Sequence, residues 1–215
     1  HFMTSGATRW WWVRHAPVID LEGILYGSDD VSCETNNILA FESLASLLPK
    51  DAYWMTSHLV RTHQTADAIR KAGLNFPEPV VEEALGEQSF GDWQGLSWKK
   101  MEELDQYKFD NFWLSPARNR PPNGESFQDL ITRVSLTINR VNNDFSGRTI
   151  VAVAHGGTIR AAISYALNLP AEIGMSFIID NLSMTCLDYI AGGLLMGKGS
   201  AWRVVCINRL PLELK

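Results

Sequence analysis

The sequence predicts an α/β fold, a three-layer sandwich in which a mostly parallel central sheet is flanked by helices. Three short, unbroken apolar runs are predicted to be buried strands: 10–13, 52–55 and 150–154. Continuous rather than alternating hydrophobicity is typical of parallel strands that are covered on both faces. Helical patterns separate these runs, and this alternation favours an α/β sheet. We expect a single domain over residues 1–215, since a chain of this length can bury one large core.

The helices are predicted from apolar spacing and from the residues that begin and end them. In the clearest one, apolar residues recur every three or four positions after Ser126, which is an N-cap candidate with Asp129 three residues later. Further helices are predicted over 36–48, 61–72 and 158–167, the second ended by Gly73 and the third by Pro170. Beyond residue 175 we expect strands and turns, including 184–189 and 203–207.

Residues 90–125 show no regular period. Aromatic residues are concentrated between Phe90 and Trp113, and a Pro-rich turn follows at 118–124. We interpret this segment as an insertion or lid beside the main sheet. Its aromatic side chains either stack on an organic group of a ligand or form a local core; they are Trp93, Trp98, Tyr107, Phe109, Phe112 and Trp113.

Composition excludes several classes of protein. With 46% hydrophobic and 20% charged residues, the chain is neither disordered nor collagen-like. The net charge of −5 argues against nucleic acid or a polybasic membrane anchor as partner, and no uncharged apolar run approaches the roughly 18–20 residues of a membrane span. We interpret His1-Phe2-Met3 as a tag remnant, with Met3 as the natural start. The three cysteines lack CxxC spacing, so we expect them to be reduced and mostly buried, which favours the cytoplasm.

Polar residues follow each of the three predicted strands. The first ends in Arg14-His15, the second runs into 56–61 with Arg61 at a helix start, and the third ends in His155-Gly156-Gly157. Ligands of parallel α/β sheets bind outside the carboxyl ends of the strands. Taken alone, each residue has an ordinary structural explanation. Together they predict a pocket for an anion, with two arginines, two histidines and helix N-termini around it.

Five motifs in this order resemble the histidine phosphatase superfamily, also called phosphoglycerate-mutase-like. WWWVRHAP (10–17) is similar to the strand-RHG pattern, and TSHLVRTHQTA (56–66) to the second-strand motif. ALGEQSFGDWQG (84–95) resembles the segment with the acidic proton donor, PPNGES (121–126) the Gly-Glu-Ser turn, and VAVAHGGTIRA (151–161) the second-histidine strand. The resemblance covers about residues 9–190. It implies a phosphoglycerate-mutase-like fold.

The resemblance also implies a role for each residue of the pocket. His15 would be the nucleophile that forms a phosphohistidine, and Glu87 the group that protonates the leaving oxygen and then activates water. Arg14 and Arg61 would bind the phosphate oxygens, because guanidinium matches phosphate in a bidentate manner. His155 would bind the transferring phosphoryl group and stabilise its charge.

The sequence departs from the family pattern at two positions near the nucleophile. Ala16 stands in place of the usual glycine, which is expected to add a methyl group beside the phosphate pocket, and Leu21 stands where an asparagine is common. We expect Ser28 or a backbone amide, such as that of Gly156, to supply the missing phosphate contact. Arg118 and Arg120 either bind a second anionic group or face water. Gln94 stands where a glutamate is common and is assigned no catalytic role.

Other kinds of site find no support in the sequence. His58 and His63 lack the HExxH spacing of zinc proteases, and there is no cysteine cluster. The HGGT run is not accompanied by a GxSxG nucleophile elbow, and neither a GxxxxGK[ST] loop nor a GxGxxG loop occurs. We therefore expect no metal and no cofactor.

The function that the resemblance implies is metal-independent hydrolysis of a small-molecule phosphate ester. One alternative is a mutase, although the chain ends soon after Ile207 whereas sugar-acid mutases usually carry a longer lid and tail that exclude water. Another is a protein that binds phosphoesters without turnover, an alternative suggested by the departures from the family pattern at Ala16 and Leu21. Candidate substrates are α-ribazole phosphate, sugar phosphates and phosphoglycerates.

Overall fold

A computed structural model describes residues 6–212, and the tag remnant predicted at 1–3 lies outside this range. The strands are β1 (Thr8–Arg14), β2 (Ile24–Leu25), β3 (Tyr53–Thr56), β4 (Val80–Val81), β5 (Leu96–Ser97), β6 (Thr149–Ala154), β7 (Met184–Tyr189) and β8 (Trp202–Arg209). The helices are α1 (Ile38–Leu47), α2 (Val60–Lys71), α3 (Trp98–Leu104), α4 (Gln106–Leu114), α5 (Phe127–Asp144), α6 (Gly156–Ala166) and α7 (Ala171–Gly174).

The central sheet has the strand order β4-β3-β6-β1-β7-β8. The first four strands are parallel, whereas β7 and β8 are antiparallel additions at one side. The mostly parallel sheet expected from the unbroken apolar runs is thereby confirmed. Arg14 at the end of β1 pairs with Ala154 at the end of β6, so these two strands finish at the same level.

Helices cover both faces of the sheet and form the outer layers of the sandwich. Trp10 and Trp12, stacked 5.1 Å apart, pack into a core with the apolar stripe of α5 and with α6. Val13 lies on the opposite face, in a second cluster with residues of α1 and α2. Successive residues of a strand point to opposite faces of the sheet. Trp10 and Trp12 therefore pack in the first cluster, and Trp11 packs against the second.

The long helix α5 begins as its sequence predicts. The Ser126 hydroxyl accepts a hydrogen bond from the Asp129 amide, and the Asp129 carboxylate accepts one from the Ser126 amide, both at 3.0 Å. This reciprocal capping box satisfies two amides that the first turn of the helix leaves free.

The segment predicted as irregular, 90–125, differs from that expectation because it contains α3 and α4. Their caps are Ser97 and Asp105, and Asp105 alone separates the two helices. At seven and nine residues, each helix is too short to show a clear repeat in the sequence. Their aromatic residues build a small core of their own around Trp93, Met101 and Phe112.

No helix within residues 6–212 has the length and hydropathy needed to cross a bilayer.

The three cysteines are free thiols, with Cys33 and Cys186 buried and Cys206 half-buried. Cys186 and Cys206 are register partners on β7 and β8.

Candidate active site

The carboxyl ends of β1, β3 and β6 bring the predicted site residues together. The His15 amide donates to the Ala154 carbonyl at 3.0 Å, which fixes the backbone of His15 beside the end of β6. The imidazole rings of His15 and His155 lie 5.2 Å apart between centroids. Parallel strands end at a common edge of the sheet, and the structure shows that the two histidines meet there.

His15 is held as a neutral imidazole with one nitrogen free. Its side chain is almost fully buried, and Nδ1 lies 2.7 Å from the Ala16 carbonyl oxygen, which can only accept. The proton therefore lies on Nδ1, and Nε2 carries the lone pair. Burial, followed by the positive charge of Arg61, lowers the pKa of His15 to about 3. At neutral pH this imidazole is a nucleophile rather than a cation.

His155 presents the opposite kind of nitrogen, a buried donor. Its Nε2 lies 2.7 Å from the Ser57 hydroxyl, which also accepts a hydrogen bond from the Leu59 amide. The Thr62 hydroxyl is further from Ser57, at 3.3 Å, and donates its own proton to the Leu59 carbonyl. We therefore assign the Ser57 proton to His155 Nε2, which leaves Nδ1 as an N–H donor. This Nδ1 is buried and has no partner within residues 6–212.

Arg14 and Arg61 are each anchored through their terminal nitrogens to backbone carbonyls. Arg14 Nη1 donates to Ile179 at 2.5 Å, and Arg61 donates to Asp29 and Gly27 at 2.6 and 2.7 Å. In both arginines Nε is buried and finds no partner in the described part of the chain. Burial lowers the pKa of Arg61 because it removes the charged guanidinium from water, and no carboxylate forms a hydrogen bond with it.

Glu87 lies against the N-terminus of α6. One carboxylate oxygen accepts a hydrogen bond from the Gln88 amide at 2.9 Å, and the other accepts one from the Gly157 amide at 3.1 Å. A Cβ atom at position 157 would come within 2.3 Å of the Glu87 carboxylate, so only glycine admits this contact. Helix amides and the helix dipole favour an anion at this place.

Arg133 of α5 holds the backbone around Glu87. Its guanidinium makes two hydrogen bonds to the Glu125 carboxylate, at 2.8 and 2.9 Å. It also donates to the carbonyls of Ala84, Gly86 and Glu87 at 2.7, 3.1 and 3.4 Å. The Ser89 amide donates to Glu125 Oε2 at 2.9 Å, the oxygen that also accepts from Arg133 Nη2. The Gly-Glu-Ser turn therefore fixes the loop that carries Glu87.

An open groove of about 590 Å³ lies beside Glu87. The Glu87 carboxylate thus faces space in which the organic part of an ester can be held. The lining residues are Ser28, His58, Glu82, Glu83, Ala84, Gly86, Glu87, Ser89, Glu125 and Arg133.

The remaining predicted site residues lie in different places. Ser28 lines the groove, but its amide and hydroxyl both donate to Gln94 Oε1, at 2.8 and 2.9 Å. Gly156 packs against the Arg14 side chain. Arg118 and Arg120 are exposed and form ion pairs with Glu172 and Asp129, respectively.

The methyl group of Ala16 packs into the protein core. Ala16 is fully buried in the cluster between the sheet and helices α1 and α2, and its amide donates to the Thr65 hydroxyl at 2.9 Å. Leu21 lies in a loop, where its carbonyl accepts a hydrogen bond from the Ile24 amide. Of the aromatic residues, Trp93 and Phe112 are buried in the small core with Phe109 against it, whereas Trp98, Tyr107 and Trp113 are exposed.

Three residues of the site were not singled out by their sequence pattern: Ser57, Gly157 and Arg133. Ser57 is part of the second-strand motif, and Gly157 follows Gly156 in the HGGT run. Their places in these motifs are the only sequence signal that connects them with the site. Arg133 resembles any polar residue on the outer face of an amphipathic helix. In the described range, no group of three His, Cys, Asp or Glu side chains is arranged to hold a metal ion.

Comparison with protein families gives a match over most of the chain. The family model of the histidine phosphatase superfamily (branch 1) matches residues 10–198. A bifunctional protein of Mycobacterium tuberculosis is 30% identical over 140 residues, 65% of this chain and 37% of that protein. A metal-independent phosphoserine phosphatase of Arabidopsis thaliana is 32% identical over 107 residues, 49% of this chain and 44% of that protein. The chain therefore spans less than half the length of these two relatives.

Solved structures share the fold over almost the whole chain. The α-ribazole phosphatase of Shigella flexneri has a TM-score of 0.78 at 23% identity, over 96% of this chain and 100% of that one. A mycobacterial glucosyl-3-phosphoglycerate phosphatase has a TM-score of 0.78 at 24% identity, over 94% and 99%. At this identity the likeness concerns the fold.

Proposed function

This chain belongs to the histidine phosphatase superfamily, and from that membership and the site geometry we propose that it hydrolyses a small phosphate monoester through a phosphohistidine at His15. One observation carries the proposal. Three buried donors, Arg14 Nε, Arg61 Nε and His155 Nδ1, have no partner within residues 6–212 and belong to the residues around a neutral His15. Buried donors without partners are costly, and the oxygens of a bound phosphoryl group would satisfy them.

In the first half of the reaction, His15 Nε2 attacks the phosphorus atom. A bond forms between Nε2 and phosphorus, and the bond from phosphorus to the ester oxygen breaks. Glu87 in its protonated form gives its proton to that oxygen, so an alcohol leaves and the carboxylate remains. Arg14, Arg61 and His155 stabilise the charge on the equatorial oxygens of the transferring group.

In the second half, water takes the place of the alcohol. The Glu87 carboxylate removes a proton from water as its oxygen attacks phosphorus, and the bond between phosphorus and Nε2 breaks. Inorganic phosphate leaves, while His15 returns to its neutral form and Glu87 is protonated again. All the groups used are side chains of this chain, and we propose a reaction that needs no metal. The metal-independent phosphoserine phosphatase among the relatives supports that choice.

The experiment is rapid acid quenching with a 32P-labelled phosphomonoester, in buffer with EDTA throughout. We expect an acid-labile, alkali-stable phosphoenzyme, and at least a 100-fold lower turnover for His15→Ala, because the nucleophile is lost. His63→Ala is the matched control, since this histidine lies on α2 and is not part of the pocket. Active protein without a phosphoenzyme, or activity that requires added metal, would contradict the proposal.

A mutase is the second candidate. A 2,3-bisphosphoglycerate-dependent phosphoglycerate mutase of Gloeobacter violaceus is 33% identical over 122 residues, 54% of this chain and 55% of that protein. Product analysis separates the two reactions, because a phosphatase releases inorganic phosphate from 3-phosphoglycerate whereas a mutase interconverts the 2- and 3-phosphates. Saturable binding of inorganic phosphate without turnover of any ester would instead indicate a binding protein.

A further inference from the structure

The side chain of Gln94 connects two loops of the site. Its oxygen accepts hydrogen bonds from the Ser28 amide and hydroxyl at 2.8 and 2.9 Å, and from the Phe90 amide at 3.0 Å. Its nitrogen donates to Asp29 Oδ1 at 2.9 Å. Ser28 and Asp29 belong to the loop 26–30, whereas Phe90 lies in the loop of the proposed proton donor. One half-buried side chain therefore holds the two loops together.

The orientation of the Gln94 amide follows from its partners. Backbone N–H groups can only donate, so the atom that faces those of Ser28 and Phe90 must be the oxygen. The nitrogen then faces the Asp29 carboxylate, which accepts its hydrogen bond. A glutamate in this place would keep the first contacts, but its second oxygen would face another carboxylate. Position 94 of this chain therefore fits an amide and not a carboxylate.

The loop that Gln94 binds also holds the guanidinium of Arg61. The carbonyls of Gly27 and Asp29 accept from its two terminal nitrogens at 2.7 and 2.6 Å. Ser28, whose amide donates to Gln94, stands between these two carbonyls in the chain. The buried Nε of Arg61 has no partner within residues 6–212 and is one of the three donors assigned to the phosphoryl group. The place of the loop therefore decides where this donor points.

Gly27 brings the backbone of the loop into direct contact with Gln94. A Cβ atom at position 27 would lie 2.5 Å from Gln94 Oε1, and 3.0 Å from both the Gln88 carbonyl oxygen and the Phe90 ring. Glycine also suits the backbone here, because its φ angle is +47°. A repulsion between position 94 and Asp29 would thus act on the backbone segment whose carbonyls hold the guanidinium.

We propose that Gln94 is a positioning residue of the phosphatase reaction proposed above, on which this role rests. Through Ser28 and Asp29 it fixes the carbonyls that hold Arg61, and so determines how tightly the phosphoryl group is bound. The match between the Gln94 amide and the Asp29 carboxylate carries this role. Gln94 acts through Arg61 and does not itself contact the substrate.

The test is a double-variant cycle between positions 94 and 29. Gln94→Glu sets a second carboxylate opposite Asp29, and we expect kcat/KM for p-nitrophenyl phosphate to fall about 10- to 100-fold, because Arg61 is displaced. The dissociation constant of inorganic phosphate, measured by calorimetry, should rise at least about 10-fold in the same variant. Asp29→Asn alone should change both quantities less than about threefold, since its side-chain oxygen still accepts from Gln94.

The variant that combines Gln94→Glu with Asp29→Asn is expected to recover most of the loss. The amide and the carboxylate then stand in exchanged positions and can form the same hydrogen bond. Both quantities should return to within about fivefold of the wild-type values. A second substitution at position 29 would not repair a general loss of structure, so this recovery identifies the pair itself.

Gln106→Glu is the matched control. The Gln106 amide donates to the Asp110 carboxylate at 2.8 Å on the exposed side of α4, so this variant creates the same pair of facing carboxylates outside the two loops. It should leave kcat/KM and phosphate binding within about twofold of wild type, because exposed charges are screened by water.

Thermal unfolding of each variant shows whether it folds. Should Gln94→Glu not fold, Gln94→Ala takes its place in the calorimetric measurement, because it removes the hydrogen bonds without adding a charge. We expect it to weaken the binding of inorganic phosphate about 5- to 10-fold. Unchanged phosphate affinity in Gln94→Ala would then refute the role of Gln94.

Four results contradict the positioning role. They are a change of less than threefold in Gln94→Glu, no recovery in the combined variant, an equal loss in Gln106→Glu, and wild-type protein that does not bind inorganic phosphate. Wild-type protein that binds phosphate but turns over no ester would refute the phosphatase function instead. In that case the calorimetric cycle still decides whether Gln94 positions Arg61.

Discussion

One oxygen atom beside each ring determines the tautomers of His15 and His155. The Ala16 carbonyl accepts a hydrogen bond from Nδ1 of His15, which leaves Nε2 free for attack. The Ser57 hydroxyl donates to Nε2 of His155, which leaves the proton on Nδ1 free for donation. Both rings have the same tautomer, but their free nitrogens are of opposite kinds. His15 therefore presents an acceptor and His155 a donor, although the two residues are of one type and their rings lie 5.2 Å apart between centroids.

Ser57→Ala tests this assignment at the scale of one atom. Without the hydroxyl, the His155 proton is free to move to Nε2, and the donor to the phosphoryl group is lost in part of the molecules. We expect kcat to fall about 10-fold, in line with the loss of one hydrogen bond to a charged group. Steady-state kinetics together with 15N chemical shifts of the His155 ring would measure both effects. The prediction is wrong if the tautomer changes while kcat does not.

Helix α5 contributes to the site from a distance, by fixing the loop around Glu87. The Arg133 guanidinium joins Glu125 to three carbonyls of that loop, so the position of the Glu87 carboxylate depends on a residue that does not face the phosphoryl pocket. A displacement of about 1 Å at a catalytic group can cost about 100-fold in rate.

Arg133→Gln is therefore expected to lower kcat about 10- to 100-fold with little change in KM, and to alter the pH profile of kcat. Arg133→Lys should restore part of the rate. Arg140→Gln is the control on the same helix, because Arg140 is exposed and pairs with Glu82, whereas the carbonyls of the Glu87 loop are bound by Arg133. Similar losses in the two variants would show that the effect is one of helix stability and not of Glu87 placement, and thermal unfolding would be measured alongside.

The burial of two neutral histidines makes the stability of the whole molecule depend on pH. The pKa of His15 is lowered to about 3 and that of His155 well below 6.5, so the unfolded chain binds protons that the folded chain does not. Stability then decreases as pH falls below about 6.5.

Between pH 7.5 and 5.5 we expect His15 to remove about 1.4 kcal/mol from the free energy of unfolding, and His155 to act in the same direction. In His15→Asn the change should be smaller by about that amount, since one of the two titrating groups is gone. Urea unfolding at the two pH values measures the difference. The same pH dependence in wild type and variant would contradict it.

The sheet and the convergence of Arg14, His15, Arg61 and His155 are predictable from sequence, because unbroken apolar strands locate the edge at which their last residues meet. Helices α3 and α4 are not, since two short capped helices show no repeat. Ser57 is harder still to predict, because its role depends on where one proton lies. Helix α6 begins at Gly156, two residues before the predicted start at 158.

The contact between Gly157 and Glu87 constrains how these two positions can change in evolution. The carboxylate occupies the volume in which any other amino acid at 157 would have its first side-chain atom. The two positions lie 70 residues apart in sequence, yet a side chain at 157 would force the Glu87 carboxylate away from the Gly157 amide. The position of the acid at 87 therefore depends on glycine at 157, and we expect the two positions to change together.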